Sequence, residues 1–78
     1  MSYATTFAAV LRRHRERKGM SQGMMCKHLV LPSQSSLSRI ETGEAELTVE
    51  FAHRVCVLLN LDFPTVSAEA LNAWRCDL

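Results

Sequence analysis

The sequence predicts an all-α chain of five short helices, on three observations. Apolar residues recur at intervals of three and four rather than alternating. Ser and Thr stand where helices would begin, and Gly and Pro stand where they would stop. No stretch shows strand alternation, an internal repeat or a linker composition. With 78 residues there is room for one domain, residues 1–78, whose core must draw on nearly every helix.

Thr5 or Thr6 can cap the first helix, roughly residues 6 to 18, in which Phe7, Val10, Leu11 and His14 share a face and Gly19 supplies a stop. Ser21 can cap a second helix over Gln22 to Leu29, with Met25 and Leu29 as its inner edge, until Pro32 breaks the pattern. Ser33 caps a third, ended by Gly43. Thr48 opens a fourth, where Val49, Ala52, Val55, Cys56 and Leu59 form the broad stripe expected at the centre of the core, with Val57 left outside it. Asp62 can cap a fifth over residues 63–75, which tolerates Pro64 in its first turn and carries Val66, Ala70, Leu71 and Trp74 along one side.

Several function classes fall away. The apolar runs are only a few residues long, and the N-terminus has no basic region followed by an apolar segment, so neither a membrane span nor a signal peptide is expected and a cytoplasmic protein is. Cys26, Cys56 and Cys76 are odd in number and widely spaced, with no CxxC and no His pair, which predicts neither a disulfide framework nor zinc, and no cofactor. His14, His28 and His53 fall on different helices without HExxH, a carboxylate pair or a nucleophile motif, so packing or surface roles are expected and an enzyme is not.

The net charge of +1 conceals an asymmetry. Residues 1–18 carry +4, residues 19–43 carry +1, and residues 44–78 carry −4. A polyanionic partner would dock on the N-terminal half, while the acidic C-terminal half would face away from it or meet another protein.

The third helix is the informative one. At 100° per residue Leu37 and Ile40 point one way, while Gln34, Ser35, Ser38, Arg39 and Thr42 fall on the opposite side. Two helices joined by a short turn, the second displaying small hydroxyls, an amide and a guanidinium, have the makings of a helix-turn-helix whose second helix enters the DNA major groove. Gln suits the N6/N7 edge of adenine, Arg suits the O6/N7 edge of guanine, and Ser suits a base edge or a phosphate. The same face also fits a solvated helix surface that happens to be polar.

Over roughly residues 7–66, "RERKGMSQ", "SSLSRIETG" and the hydrophobic fourth helix resemble the Cro/CI-type helix-turn-helix family, the Xre-like or lambda-repressor-like DNA-binding domains. The two motifs stand in the family's order and at nearly its separation. The resemblance implies a five-helix lambda-repressor-like fold with the helix-turn-helix in helices 2 and 3. It implies a transcriptional regulator, repressors included, that binds double-stranded operator DNA as a homodimer. Gln34 and Ser35 become base readers, with Arg39 a turn later. Gln22 becomes a phosphate contact that also braces Gln34, and Ser33 and Ser38 become phosphate or flanking contacts.

Arg15 lies at i+4 from Leu11, beside the apolar stripe, and needs a partner there. Glu41 is the only acidic residue between positions 17 and 43, it lies beside Leu37, and relatives pair these two positions; a structural ion pair is expected. Val66, Leu71 and Trp74 of the fifth helix are expected in a dimer interface, extended by an exposed Val57. Departures from the family pattern are also visible. One extra residue lies between Ser21 and Arg39, Val30 stands where the turn usually has Gly, Met24 replaces the capping-box acid, and the loop "ETGEAE" is acidic. These features leave two alternatives open: an antitoxin-type regulator that also binds a protein toxin through its acidic half, and a protein-interaction module that has lost DNA binding.

Overall fold

A computed structural model of the protein describes residues 2–76. Five helices follow one another, α1 (Tyr3–Arg17), α2 (Gln22–Leu29), α3 (Gln34–Thr42), α4 (Val49–Leu58) and α5 (Phe63–Cys76), with no strand among the described residues. The all-α class read from the apolar spacing is what forms.

α1 begins at Tyr3 rather than near residue 6, because Ser2 takes the capping role expected of Thr5 or Thr6. Ser2 is extended, and its Oγ accepts from Thr5 N at 3.1 Å. The extra turn is anchored by Tyr3, whose ring meets Phe7 edge-on at 5.8 Å and whose hydroxyl donates to the Ser67 carbonyl at 2.9 Å on α5. Thr6 then falls inside the helix, 5% exposed, with no partner for its Oγ1 among the described residues.

The other starts follow the sequence. Ser21 Oγ accepts from Met24 N at 3.1 Å, Thr48 Oγ1 accepts from Phe51 N at 3.1 Å, and Asp62 Oδ2 accepts from Thr65 N at 3.2 Å. Ser33 occupies the cap position of α3, but its side chain caps no backbone N–H. α3 stops at Gly43, whose φ of +86° favours glycine. A second constraint acts there too, since a Cβ on Gly43 would come within 2.7 Å of Thr5 Cγ2 on α1.

One apolar core joins all five helices. α1 packs along α5 and across α3 and α4, and α2 rests on α3 and α4. Phe7, Val10 and Leu11 of α1 meet Met25 and Leu29 of α2, Leu37 of α3, Ala52, Val55 and Cys56 of α4, and Val66 and Ala70 of α5. Burial, with Asp62 adding, pushes the Cys56 thiol above its ordinary range. Two assignments change. Val49, read as part of the α4 stripe, sits in the first turn and is 69% exposed. Val66, read as a dimer-interface residue, is 3% exposed and belongs to the core, so it offers no surface to a partner. Leu71 is 40% exposed, Trp74 is half-buried with its ring edge-on to Tyr3 at 5.9 Å, and Val57 is exposed.

No helix among the described residues is long and apolar enough to cross a membrane. No group of His, Cys, Asp and Glu among them could hold a metal ion.

Candidate nucleic-acid interface

The α2–α3 unit is built around an unusual turn. Apolar Met25, Cys26 and Leu29 fix α2 to the core on one side, and Leu37 fixes α3 on the other. Between them run Val30, Leu31, Pro32 and Ser33. Val30 closes α2 in the left-handed conformation, φ 56° and ψ 46°, while its N–H and that of Leu31 reach back to carbonyls of the last turn. A β-branched residue in that region is strained by ~1–2 kcal/mol, and glycine is the residue that relieves it. Val30 is 85% exposed, so packing of its side chain returns little of that cost.

Behind α3 lies a buried ion pair. Arg15 and Glu41 are 6% and 8% exposed. Arg15 donates from Nε to Glu41 Oε2 at 2.7 Å and from Nη2 to Oε1 at 3.1 Å, a two-pronged contact, and its Nη1 donates to the Met20 carbonyl at 2.7 Å. The pair ties the last turn of α1 to the end of α3, and through Met20 to the segment that leads into α2.

Its influence reaches the surface through two glutamines. Gln22 Nε2 donates to Glu41 Oε1 at 2.9 Å, and Gln34 Nε2 donates to Gln22 Oε1 at 3.2 Å. An ionised carboxylate only accepts, so it holds the Gln22 amide nitrogen inward and the Gln22 carbonyl outward. That carbonyl in turn orients Gln34, which keeps a second N–H and its own carbonyl oxygen for other partners. Of the expected site residues, Gln22 is thus linked directly to the buried pair and Gln34 through Gln22.

Gln22, Gln34, Ser35, Ser38 and Arg39 together line one open polar concavity. Gln34, Ser35 and Arg39 are exposed, and Ser38 and Gln22 are half-buried. Ser33 lies at the rim of the turn, its Oγ 3.3 Å from Ser36 Oγ. Thr42, on the same side in the sequence, instead turns its hydroxyl into its own helix and donates to the Ser38 carbonyl at 2.9 Å. The concavity therefore offers amide, hydroxyl and guanidinium groups and no carboxylate.

Two contacts of this unit escape sequence reasoning. Arg54 Nη2 of α4 donates to the Leu29 carbonyl at 2.8 Å, and Cys26 Sγ donates to the Ser33 carbonyl at 3.4 Å. Arg54 carries no local signal, because its partner is a backbone atom 25 residues away. His14, read as a packing or surface residue, bonds Glu69 at 2.8 Å and so joins α1 to α5.

A family model described as a helix-turn-helix domain matches residues 6–70. No curated protein and no solved structure matches the chain. The matched span takes in α2, its turn, α3 and the ion pair behind them, and it covers most of the sequence. The chain therefore belongs to the helix-turn-helix domain family, a family of DNA-binding domains.

Proposed function

We propose that this protein is a sequence-specific transcriptional regulator of the Cro/CI type. It binds a palindromic operator as a homodimer and places α3 of each subunit in successive major grooves. The observation that carries the reading is the polar concavity on α3, free of carboxylates and oriented from behind by the Arg15–Glu41 pair.

Gln34, Ser35 and Arg39 read base edges. The donor and acceptor that Gln34 retains suit adenine, whose N7 accepts and whose N6 donates, while the Arg39 guanidinium suits O6 and N7 of guanine. Gln22, Ser33 and Ser38 contact phosphates or brace the readers, and the N-terminal end of α2 adds a favourable dipole for phosphate. Leu71 and Trp74 contribute to the dimer face, without Val66. Two-fold symmetry puts the half-sites about 34 Å apart, one turn of DNA.

Affinity for mixed-sequence duplex DNA, measured by fluorescence anisotropy over a range of salt, tests the reading. A regulator of this kind binds tightly at low salt and loses affinity steeply as salt rises, because docking releases counterions from the phosphates. Folded protein with no salt-dependent DNA affinity would instead be a protein-interaction module that kept the fold.

A further inference from the structure

We propose that Arg54, on α4 and remote in sequence from the α3 face, is a positioning residue for DNA reading. It clamps the strained α2–α3 turn and so fixes where α3 begins. The inference rests on the proposed role of α3 in reading bases, but its physical core can be tested without DNA.

The argument starts from the turn. Closing α2 in the left-handed region is ordinary for glycine and unfavourable for Val30. Because Val30 is 85% exposed, its own packing does not hold it there. Other contacts must hold the turn: Leu31 packs against the core, and two side-chain hydrogen bonds reach the backbone, one on each flank of it. Arg54 Nη2 donates to the Leu29 carbonyl at 2.8 Å, immediately before Val30. That carbonyl is in the last turn of α2, where helix carbonyls lack an in-helix partner and a cation is favoured by the helix dipole. Cys26 Sγ donates to the Ser33 carbonyl at 3.4 Å on the far side, where α3 starts.

Arg54 is the stronger of the two, since a charged donor on a carbonyl makes a firmer bond than a thiol does. It also comes from outside the helix-turn-helix, so it ties the turn to the rigid α4, whose neighbours Ala52, Val55 and Cys56 are core residues. Gln34 and Ser35 are the first two residues of α3, directly after the clamped turn. A turn that relaxes out of its left-handed geometry would shift them first.

The experiment is a cycle on Arg54→Ala, Val30→Gly and the double variant, with Arg54→Lys as the conservative control. Hydrogen exchange of the Leu31 amide, which bonds the Cys26 carbonyl across the turn, reads turn order in the free protein. Arg54→Ala should lower Leu31 protection about tenfold while leaving amides of α5 unchanged. Arg54→Lys should keep part of that protection. Val30→Gly should restore it in the Arg54→Ala background, because a turn without strain needs no clamp. The ratio of affinity for a selected site over mixed-sequence duplex should follow the same pattern, falling about tenfold and recovering with glycine.

Unchanged Leu31 protection in Arg54→Ala, or no recovery with Val30→Gly, would overturn the proposal. A loss of affinity equal for all sequences, with a shallower salt dependence, would make Arg54 a phosphate contact and also overturn it. If the wild type selects no DNA sequence, the base-reading role of α3 has failed, and the exchange measurements alone then decide whether Arg54 holds the turn.

Discussion

At the scale of single residues, Arg15 and Glu41 show how one buried pair serves both stability and the site. Each partner satisfies the other in a place that water does not reach, so removing one leaves a charge stranded. Glu41→Ala should cost about 3–5 kcal/mol of unfolding free energy, measured by urea denaturation, and an unchanged midpoint would show that the pair holds nothing. Arg39 has the opposite character: it is exposed and held by no ion pair among the described residues, so it is available to a ligand. Arg39→Ala should leave stability nearly intact, weaken binding to a preferred site by about 1–3 kcal/mol and relax specificity at one base pair. A loss uniform across sequences would make it a phosphate contact instead. Arg15 and Glu41 could be paired from the sequence, because a guanidinium beside an apolar stripe had one acidic residue within the adjoining segment. The relay onward through Gln22 to Gln34 could be expected only by resemblance, since amide polarity depends on which neighbour holds it.

At the scale of elements, helix starts were legible where a capping side chain had a free choice of backbone. Ser21, Thr48 and Asp62 all bond the N–H three residues on. The start of α1 lies earlier than Thr5 and Thr6 suggest, because Ser2 caps the helix and Tyr3 is tied to α5. Val49 departs from the α4 stripe for a related reason. Periodicity continues smoothly through a first turn, but the neighbours that would cover such a residue need not extend that far. The substitution of Val30 for the usual glycine was visible in the sequence, whereas its conformation was not: the turn could have reorganised around the extra residue, and instead it keeps the left-handed closure. Because the strain of Val30 exceeds the added flexibility of an unfolded glycine, Val30→Gly should raise stability by ~0.5–1 kcal/mol in thermal or urea unfolding. Destabilisation by that change would mean that the valine side chain is held by contacts the exposed turn does not show.

At the scale of the whole molecule, charge and apolar surface are distributed in a way that suits two partners. The basic N-terminal half contributes Arg12, Arg13, Arg17 and Lys18 as exposed side chains, and the excess acid of residues 44–78 lies outside α4 and α5, as in Glu44 and Glu46 of the loop before α4. Such a division favours one orientation on a polyanion. The assignment of Leu71 to a dimer face predicts that Leu71→Glu folds normally yet sediments as a monomer, since the residue is 40% exposed and outside the core. If Leu71→Glu keeps the association state of the parent, that face is not the interface. The core itself was largely readable, because a chain of this length has to bury nearly every apolar stripe it makes. Periodicity does not distinguish an apolar residue of the core from one left on the surface, as Val66 shows. The central claim, that α3 reads bases in a two-fold arrangement, is tested most directly by selecting binding sites from random duplex DNA with the purified protein and sequencing them. The account predicts an enriched inverted repeat with half-sites about one helical turn apart, its consensus altered at one position by Arg39→Ala. Folded protein at low salt that enriches no sequence would contradict it.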